Sequence, residues 1–204
     1  MNAASAASHE SVLSRHHPHV CPWWLGWGLA CPIRRWFNDP NAVLGDFVTE
    51  GERVLEIGPG PGFYTATLAR RVGATGKVVC VDVQQRMLAS LGRRMARLGL
   101  ADRIEAHCCA HDDGWLEACR QSMDKAVLIY VLHEVPRPQQ TLAQVYAALR
   151  PGGSLLLVEP KGHCSPGLFA AELSAARQLG FRDVSDRQWK YLTKFQTALF
   201  QRPC

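Results

Sequence analysis

Val54-Leu55-Glu56-Ile57-Gly58-Pro59-Gly60-Pro61-Gly62 is the stretch whose reading decides the fold. Its first four residues read as a buried strand with one acid inside it. Three glycines at alternate positions follow, and Phe63 to Val72 reads as a helix. Without Cβ atoms, the glycines let backbone N–H groups approach a ligand closely. The helix N-terminus adds a partial positive charge. The guest these features imply is nucleotide-like. The turn is not a P-loop, because no Gly-Lys-Ser/Thr follows. It also departs from the dinucleotide pattern G-x-G-x-x-G, since the spacing here is G-x-G-x-G.

The next landmark is Lys77-Val78-Val79-Cys80-Val81-Asp82, a second apolar strand ending in an acid twenty residues beyond Gly62. An acid there can accept hydrogen bonds from both ribose hydroxyls. It can also serve as a strand-end cap for the helix that starts near Gln84. Further strands are expected over Arg53–Ile57, Arg103–Cys109, Lys125–Tyr130 and Ser154–Glu159. Helices are expected over Gln84–Leu98, Asp113–Gln121, Pro138–Leu149 and Pro166–Leu179. Strands alternating with helices argue for a parallel sheet covered on both sides. Phe181–Asp186 and Lys194–Gln201 read as two closing strands.

These motifs resemble the class I S-adenosylmethionine-dependent methyltransferases, in the small-molecule, type 11-like branch. The acid-bearing strand with G-x-G-x-G and the acid at Asp82 match that family's first two motifs. Leu149-Arg150-Pro151-Gly152-Gly153, running on to Glu159-Pro160, is similar to its turn into the fifth strand. Ala126 to Val135 is similar to its fourth strand and following loop. The elements keep family order over roughly residues 42 to 204. The resemblance implies a Rossmann-like, doubly wound, mostly parallel sheet of seven strands with an antiparallel edge strand. It implies S-adenosylmethionine as cofactor and S-adenosylhomocysteine as product.

The resemblance also implies roles. Asp82 would clamp the ribose, with Val83 beside it. Glu56 would lie near the methionine amino end, where Gly58, Gly60, Pro61 and Gly62 leave room. By alignment of strand ends, the family's adenine-side acid falls at Ala110, and Asp112 stands two residues late. Asp112, His111 or backbone alone are then the open choices for the adenine amino group. Tyr130 would face the cofactor. Tyr130, His133, Glu134, Glu159, Lys161 and His163 are candidates to face the methyl. His133, Tyr130 and Glu159 are the catalytic set chosen from them. His133 sits on a loop where a base is useful, or it is a loop histidine bonded to backbone.

A chain of 204 residues is read as one catalytic domain with a sizeable core. No stretch reaches transmembrane length, and no signal peptide is read, so a cytoplasmic setting is expected. The eight cysteines are scattered without C-x-x-C pairs, so no metal site is expected. The net charge of +5 owes part to Arg86, Arg93, Arg94 and Arg97. They share a helix with Met87, Leu88, Leu91, Met95 and Leu98, which are spaced for one buried face. The arginines are its solvated side, and nucleic acid is not an expected partner.

Residues 1–20 read as a flexible Ala/Ser- and His-rich tail. Residues 21–41 carry Trp23, Trp24, Trp27, Trp36 and Phe37. Such a segment is expected to close over the site as a lid, or to meet another chain or a membrane surface. The leading expectation is methyl transfer to a small molecule. A metalloid or thiol acceptor, held by Cys21, Cys31 and Cys164, is a second reading. A lipid acceptor, with the tryptophans at a membrane interface, is a third. A non-catalytic member that binds cofactor or a protein partner is the reading from another class.

Overall fold

A computed structural model of the chain describes residues 38–109, 114–185 and 195–204. The tail and all of the aromatic segment up to Phe37 lie outside the described residues, as do Ala110, His111, Asp112 and Asp113. Seven strands form one sheet in the order β3-β2-β1-β4-β5-β7-β6. β1 (Arg53–Ile57), β2 (Lys77–Asp82), β3 (Ile104–Cys108), β4 (Met123–Ile129) and β5 (Leu149–Pro160) are parallel. β7 (Phe195–Gln201) runs antiparallel to β5, and the short β6 (Arg182–Asp183) pairs outside it. This is the expected mostly parallel, Rossmann-like sheet, with its one reversed strand lying beside the outermost one.

Side chains alternate across a strand, so each strand feeds two cores. Leu55, Val79, Ala126, Leu128, Leu155 and Leu157 face one side. There they meet α4 (Gly114–Cys119), α5 (Pro138–Ala148) and α6 (Pro166–Gln178). Val54, Val78, Cys80, Val127, Leu156 and Val158 face the other side. There they meet α1 (Pro40–Leu44), α2 (Thr65–Arg71) and α3 (Gln85–Arg97). Caps set two of the helix starts. Asp39 accepts from Asn41 N–H at 3.0 Å ahead of α1, and Ser165 Oγ accepts from Leu168 N–H at 3.1 Å ahead of α6. Both helices carry proline in the first turn, where its missing N–H costs nothing.

Some element bounds differ from expectation, for local reasons. α2 starts at Thr65 rather than Phe63, because Gly62 N–H donates to Pro59 O and the turn extends through those residues. β5 begins at Leu149, ahead of the apolar run, and pairing passes through Pro151-Gly152-Gly153 with a register shift opposite Met123 and Lys125. Gly152 has φ +78° and donates to Arg202 O, so the glycines absorb a bulge inside the strand. Met87, Leu88, Leu91 and Met95 are buried as expected, but Leu98 is 42% exposed because the helix ends at Arg97. Cys109 lies one residue past β3.

The chain lays down β1, β2 and β3 in one lateral direction, then returns to place β4 on the other side of β1. In such sheets the loops leaving β1 and β4 flank a cleft at the strand C-termini, where ligands bind.

Candidate functional site

The turn after β1 and the loop after β4 touch. A Cβ on Gly58 would collide with Val131 Cγ2. A Cβ on Gly62 would lie 2.5 Å from Leu91 Cδ1 on α3 and 3.1 Å from Met95 Cε. Positive φ values of +66° and +85° favour glycine at both positions, and at Gly58 the short, branched Val131 adds a steric reason, whereas Leu91 and Met95 meet Gly62 with the ends of flexible side chains. Gly60 differs. Its φ is +54°, yet a Cβ there would meet nothing within 4 Å. The middle glycine faces open space. Pro61 is buried behind it.

Asp82 ends β2 beside this turn and is 8% exposed. Burial pushes its carboxyl up from the ordinary value, while N–H groups of Gln84, Gly60 and Val83 pull it back. The Gln84 contact is 2.8 Å. The Asp82 carboxylate bonds the backbone just ahead of α3 and, through Gly60, the glycine turn, while α3 itself has no side-chain cap. Val83 next to it is 49% exposed. Cys109 N–H donates to Asp82 O at 3.1 Å.

Glu56 is buried in β1, more deeply than its pattern suggests. Thr65 Oγ1 donates to its Oε2 at 2.6 Å, and the Cys80 thiol approaches the same oxygen at 3.7 Å. Burial raises its carboxyl to about 7, against the two hydrogen bonds that lower it. Tyr130 leaves β4 with φ +61°, a conformation costing a non-glycine residue about 1–2 kcal/mol. Its N–H donates to Val158 O at 2.8 Å, and its ring packs between Tyr64 and Phe195. That bend turns the loop 131–134 over the strand ends.

His133 and Glu159 are brought together there. The Glu159 carboxylate is fully buried at the end of β5. Its Oε1 accepts from Leu132 N–H at 2.9 Å and His133 N–H at 3.4 Å, and its Oε2 bonds His133 Nδ1. The imidazole is therefore held with Nδ1 inward. Nε2 lies 3.8 Å from Glu134 Oε1. Burial works to lower the His133 pKa, but the hydrogen bond and charge of Glu159, with the charge of Glu134, outweigh it and raise the value. His163 is exposed, with its ring stacked 6.3 Å from that of His133, and Lys161 is exposed in the same turn. Cys164 is fully buried against Glu172, and burial pushes its thiol well up.

Thr65, Cys80, Val131 and Glu172 belong to these contacts and were not singled out in the sequence. Glu172 alone carried a signal, as a charged residue at the apolar spacing of Leu168, Ala171 and Ala175 on α6. The adenine-side choices, Ala110, His111 and Asp112, fall outside the described residues.

The family described as "Methyltransferase domain" matches residues 54–153. The Escherichia fergusonii ubiquinone/menaquinone biosynthesis C-methyltransferase UbiE is 31% identical over 112 residues, 55% of this chain and 44% of that protein. The arsenite methyltransferase of Aquipseudomonas alcaligenes is 32% identical over 148 residues, 71% of this chain and 39% of that protein. The chain spans less than half the length of these curated relatives. A SAM-dependent methyltransferase structure from Aquifex aeolicus shares the fold, with a TM-score of 0.75 over 90% of this chain and 100% of that one, at 23% identity.

Gly62→Ala should lower unfolding free energy by about 1–3 kcal/mol, because strain adds to collision. Gly60→Ala should cost less stability, with its main loss in ligand affinity; chemical denaturation and calorimetry separate the two. For Glu56, the folded value near 7 lies above the ordinary 4.5. Its stabilising share is full below the ordinary value and is lost as pH rises through the folded one. Unfolding curves from pH 4.5 to 8 should therefore show the native protein losing on the order of 1–3 kcal/mol relative to Glu56→Gln.

Proposed function

We propose that this chain, a member of the class I S-adenosylmethionine-dependent methyltransferases, moves a methyl group from that cofactor to a small-molecule acceptor. One observation carries the reading. The glycine turn with Asp82 and the His133–Glu159 pair open on the same end of the sheet, joined through Gly58 and Val131. The residues present fit the cofactor, since Gly60 leaves a gap beside an acid and Val83 offers exposed apolar surface next to it. S-adenosylmethionine, when bound, supplies an activated methyl on a cationic sulfur.

The chain's own part is to bind, orient and exclude water. Asp82 holds the ribose hydroxyls, and the glycine turn with Glu56 behind it takes the methionine end. Asp112, His111 or backbone alone, beginning at Ala110, meets the adenine amino group, all of them outside the described residues. Tyr130 walls the site. His133 takes the acceptor's proton at Nε2, and Glu159 keeps Nδ1 protonated and stabilises the imidazolium. Residues 21–37 close over the acceptor as a lid. The described core already starts at α1, whose Val43 and Leu44 are buried, so the lid is not needed to complete the sheet. A cytoplasmic setting suits the six free thiols among the described residues.

Methyl transfer to a metalloid is the second reading, favoured by the length of the match to the arsenite methyltransferase. It needs exposed thiolates. Cys164 is instead buried and held protonated, so that reading rests on Cys21 and Cys31, outside the described residues.

Asp82→Ala should weaken S-adenosylhomocysteine binding by about 1–3 kcal/mol in calorimetry, through lost hydrogen bonds to a charged group. His133→Gln should keep that affinity and lose about 10²–10⁴-fold in transfer, followed by mass spectrometry of pooled metabolite extracts. Unchanged affinity in folded Asp82→Ala removes Asp82 from the site. Tight nicotinamide binding removes the proposed function. Deleting residues 1–37 should leave a folded core that still binds S-adenosylhomocysteine but has lost methyl transfer. Full activity of that truncation overturns the lid.

A further inference from the structure

Glu159 fixes the inner nitrogen of the His133 ring, so Nε2 is the nitrogen left to exchange a proton with an acceptor. A second acid stands at that nitrogen, and the proposed chemistry does not use it. Glu134 follows His133 in the tight helical turn Leu132–Glu134, and its N–H donates to Val131 O at 2.9 Å. About three residues per turn send consecutive side chains in different directions. The long, flexible chain of Glu134 nevertheless turns back, and its Oε1 lies 3.8 Å from His133 Nε2. The ring is thereby set between two carboxylates, one at each nitrogen. Their settings differ: the Glu159 side chain is 0% exposed and that of Glu134 is 30% exposed.

We propose that Glu134 is a positioning residue for the base, a carboxylate on the solvent side of His133 that stabilises the imidazolium formed when Nε2 takes the acceptor's proton. The inference rests on His133 being the base. At 3.8 Å the carboxylate is beyond hydrogen-bond reach of Nε2, so an incoming O–H, N–H or S–H can still donate there. Opposite charges at that distance attract, and the ring is largely withdrawn from water, at 9% exposure. Glu134 therefore acts little on the neutral ring and strongly on the protonated one. In the step itself the acceptor's bond to hydrogen breaks, Nε2–H forms, and the electron pair stays with the acceptor atom.

Burial works to lower the His133 pKa, the hydrogen bond and charge of Glu159 raise it, and the charge of Glu134 raises it further. The turn after β5 adds two more titratable groups on this side, His163 with its ring stacked 6.3 Å from that of His133, and exposed Lys161. A base strengthened in this way loses its own proton only at higher pH, but once neutral it takes the acceptor's proton faster. Glu134 thus trades activity at low pH for a higher rate at high pH.

The test is a titration of the His133 ring by NMR in the full chain, with the signal assigned by its loss in His133→Gln. The native ring should titrate above the ordinary value of 6.5. Glu134→Gln, which keeps the shape and removes the charge, should lower the midpoint, and Glu134→Asp should recover part of the shift. A midpoint in Glu134→Gln at or above the native one overturns the proposal, and a residue that only holds the turn would leave the midpoint in place. Methyl transfer gives a second readout. Each form should gain rate as pH rises through its own midpoint, Glu134→Gln at lower pH but to a lower plateau, so that the two profiles cross. Profiles that run in parallel overturn the role in the step. The ring titration needs no turnover, so a failure to find methyl transfer strikes the proposed function and leaves the titration to decide on Glu134.

Discussion

The close approach of Gly58 to Val131 is the constraint on which the site depends. β1 and β4 are neighbours in the sheet though far apart in the chain, and their C-terminal loops must cross the same small space. A side chain on Gly58 would push the loops apart. With the loops in contact, the glycine turn and Asp82 stand on one side of the cleft and His133 on the other. Tyr130 adds the bend that makes the contact possible, at the cost of a left-handed backbone in a bulky residue. Backbone strain of that kind persists only where surroundings hold it. Here the bond to Val158 and the rings of Tyr64 and Phe195 do so.

Each face of the sheet buries a carboxyl near the strand ends, and the two are handled differently. Glu56 has a hydroxyl and a thiol as partners, which leaves it near the point of half-ionisation at neutral pH. Glu159 has two backbone N–H groups and an imidazole. The contrast lies in the donors: backbone amides and an imidazole surround Glu159, whereas Glu56 meets only a hydroxyl and a thiol. Glu159 also does structural work. Its three bonds tie the loop after β4 to the end of β5, so the group that orients the ring also fixes the backbone carrying it.

Much of this was legible in the chain. β1 lies where the apolar run and glycine turn placed it, and β2 is the apolar run that ends in Asp82. α5 and α6 start at their prolines, Pro138 and Pro166. These are local matters of side-chain periodicity, missing N–H groups and positive φ. Misplaced bounds occur where a long-range partner decides. β5 extends back through Pro151-Gly152-Gly153 because Gly152 finds Arg202 fifty residues on, and Leu98 loses its buried place because the helix stops short.

The sequence by itself determined the alternation of strands and helices, the glycine turn, the acid at Asp82 and the family resemblance, since each depends on residues close together in the chain. Only the tertiary structure decided which glycine faces open space, because that depends on Val131 and Leu91 arriving from other elements. It alone decided that His133 meets Glu159 rather than backbone alone, and that Cys164 turns inward to Glu172. Hydrogen bonds and burial between residues tens of positions apart follow from the order of strands in the sheet, and no periodicity along the chain encodes that order.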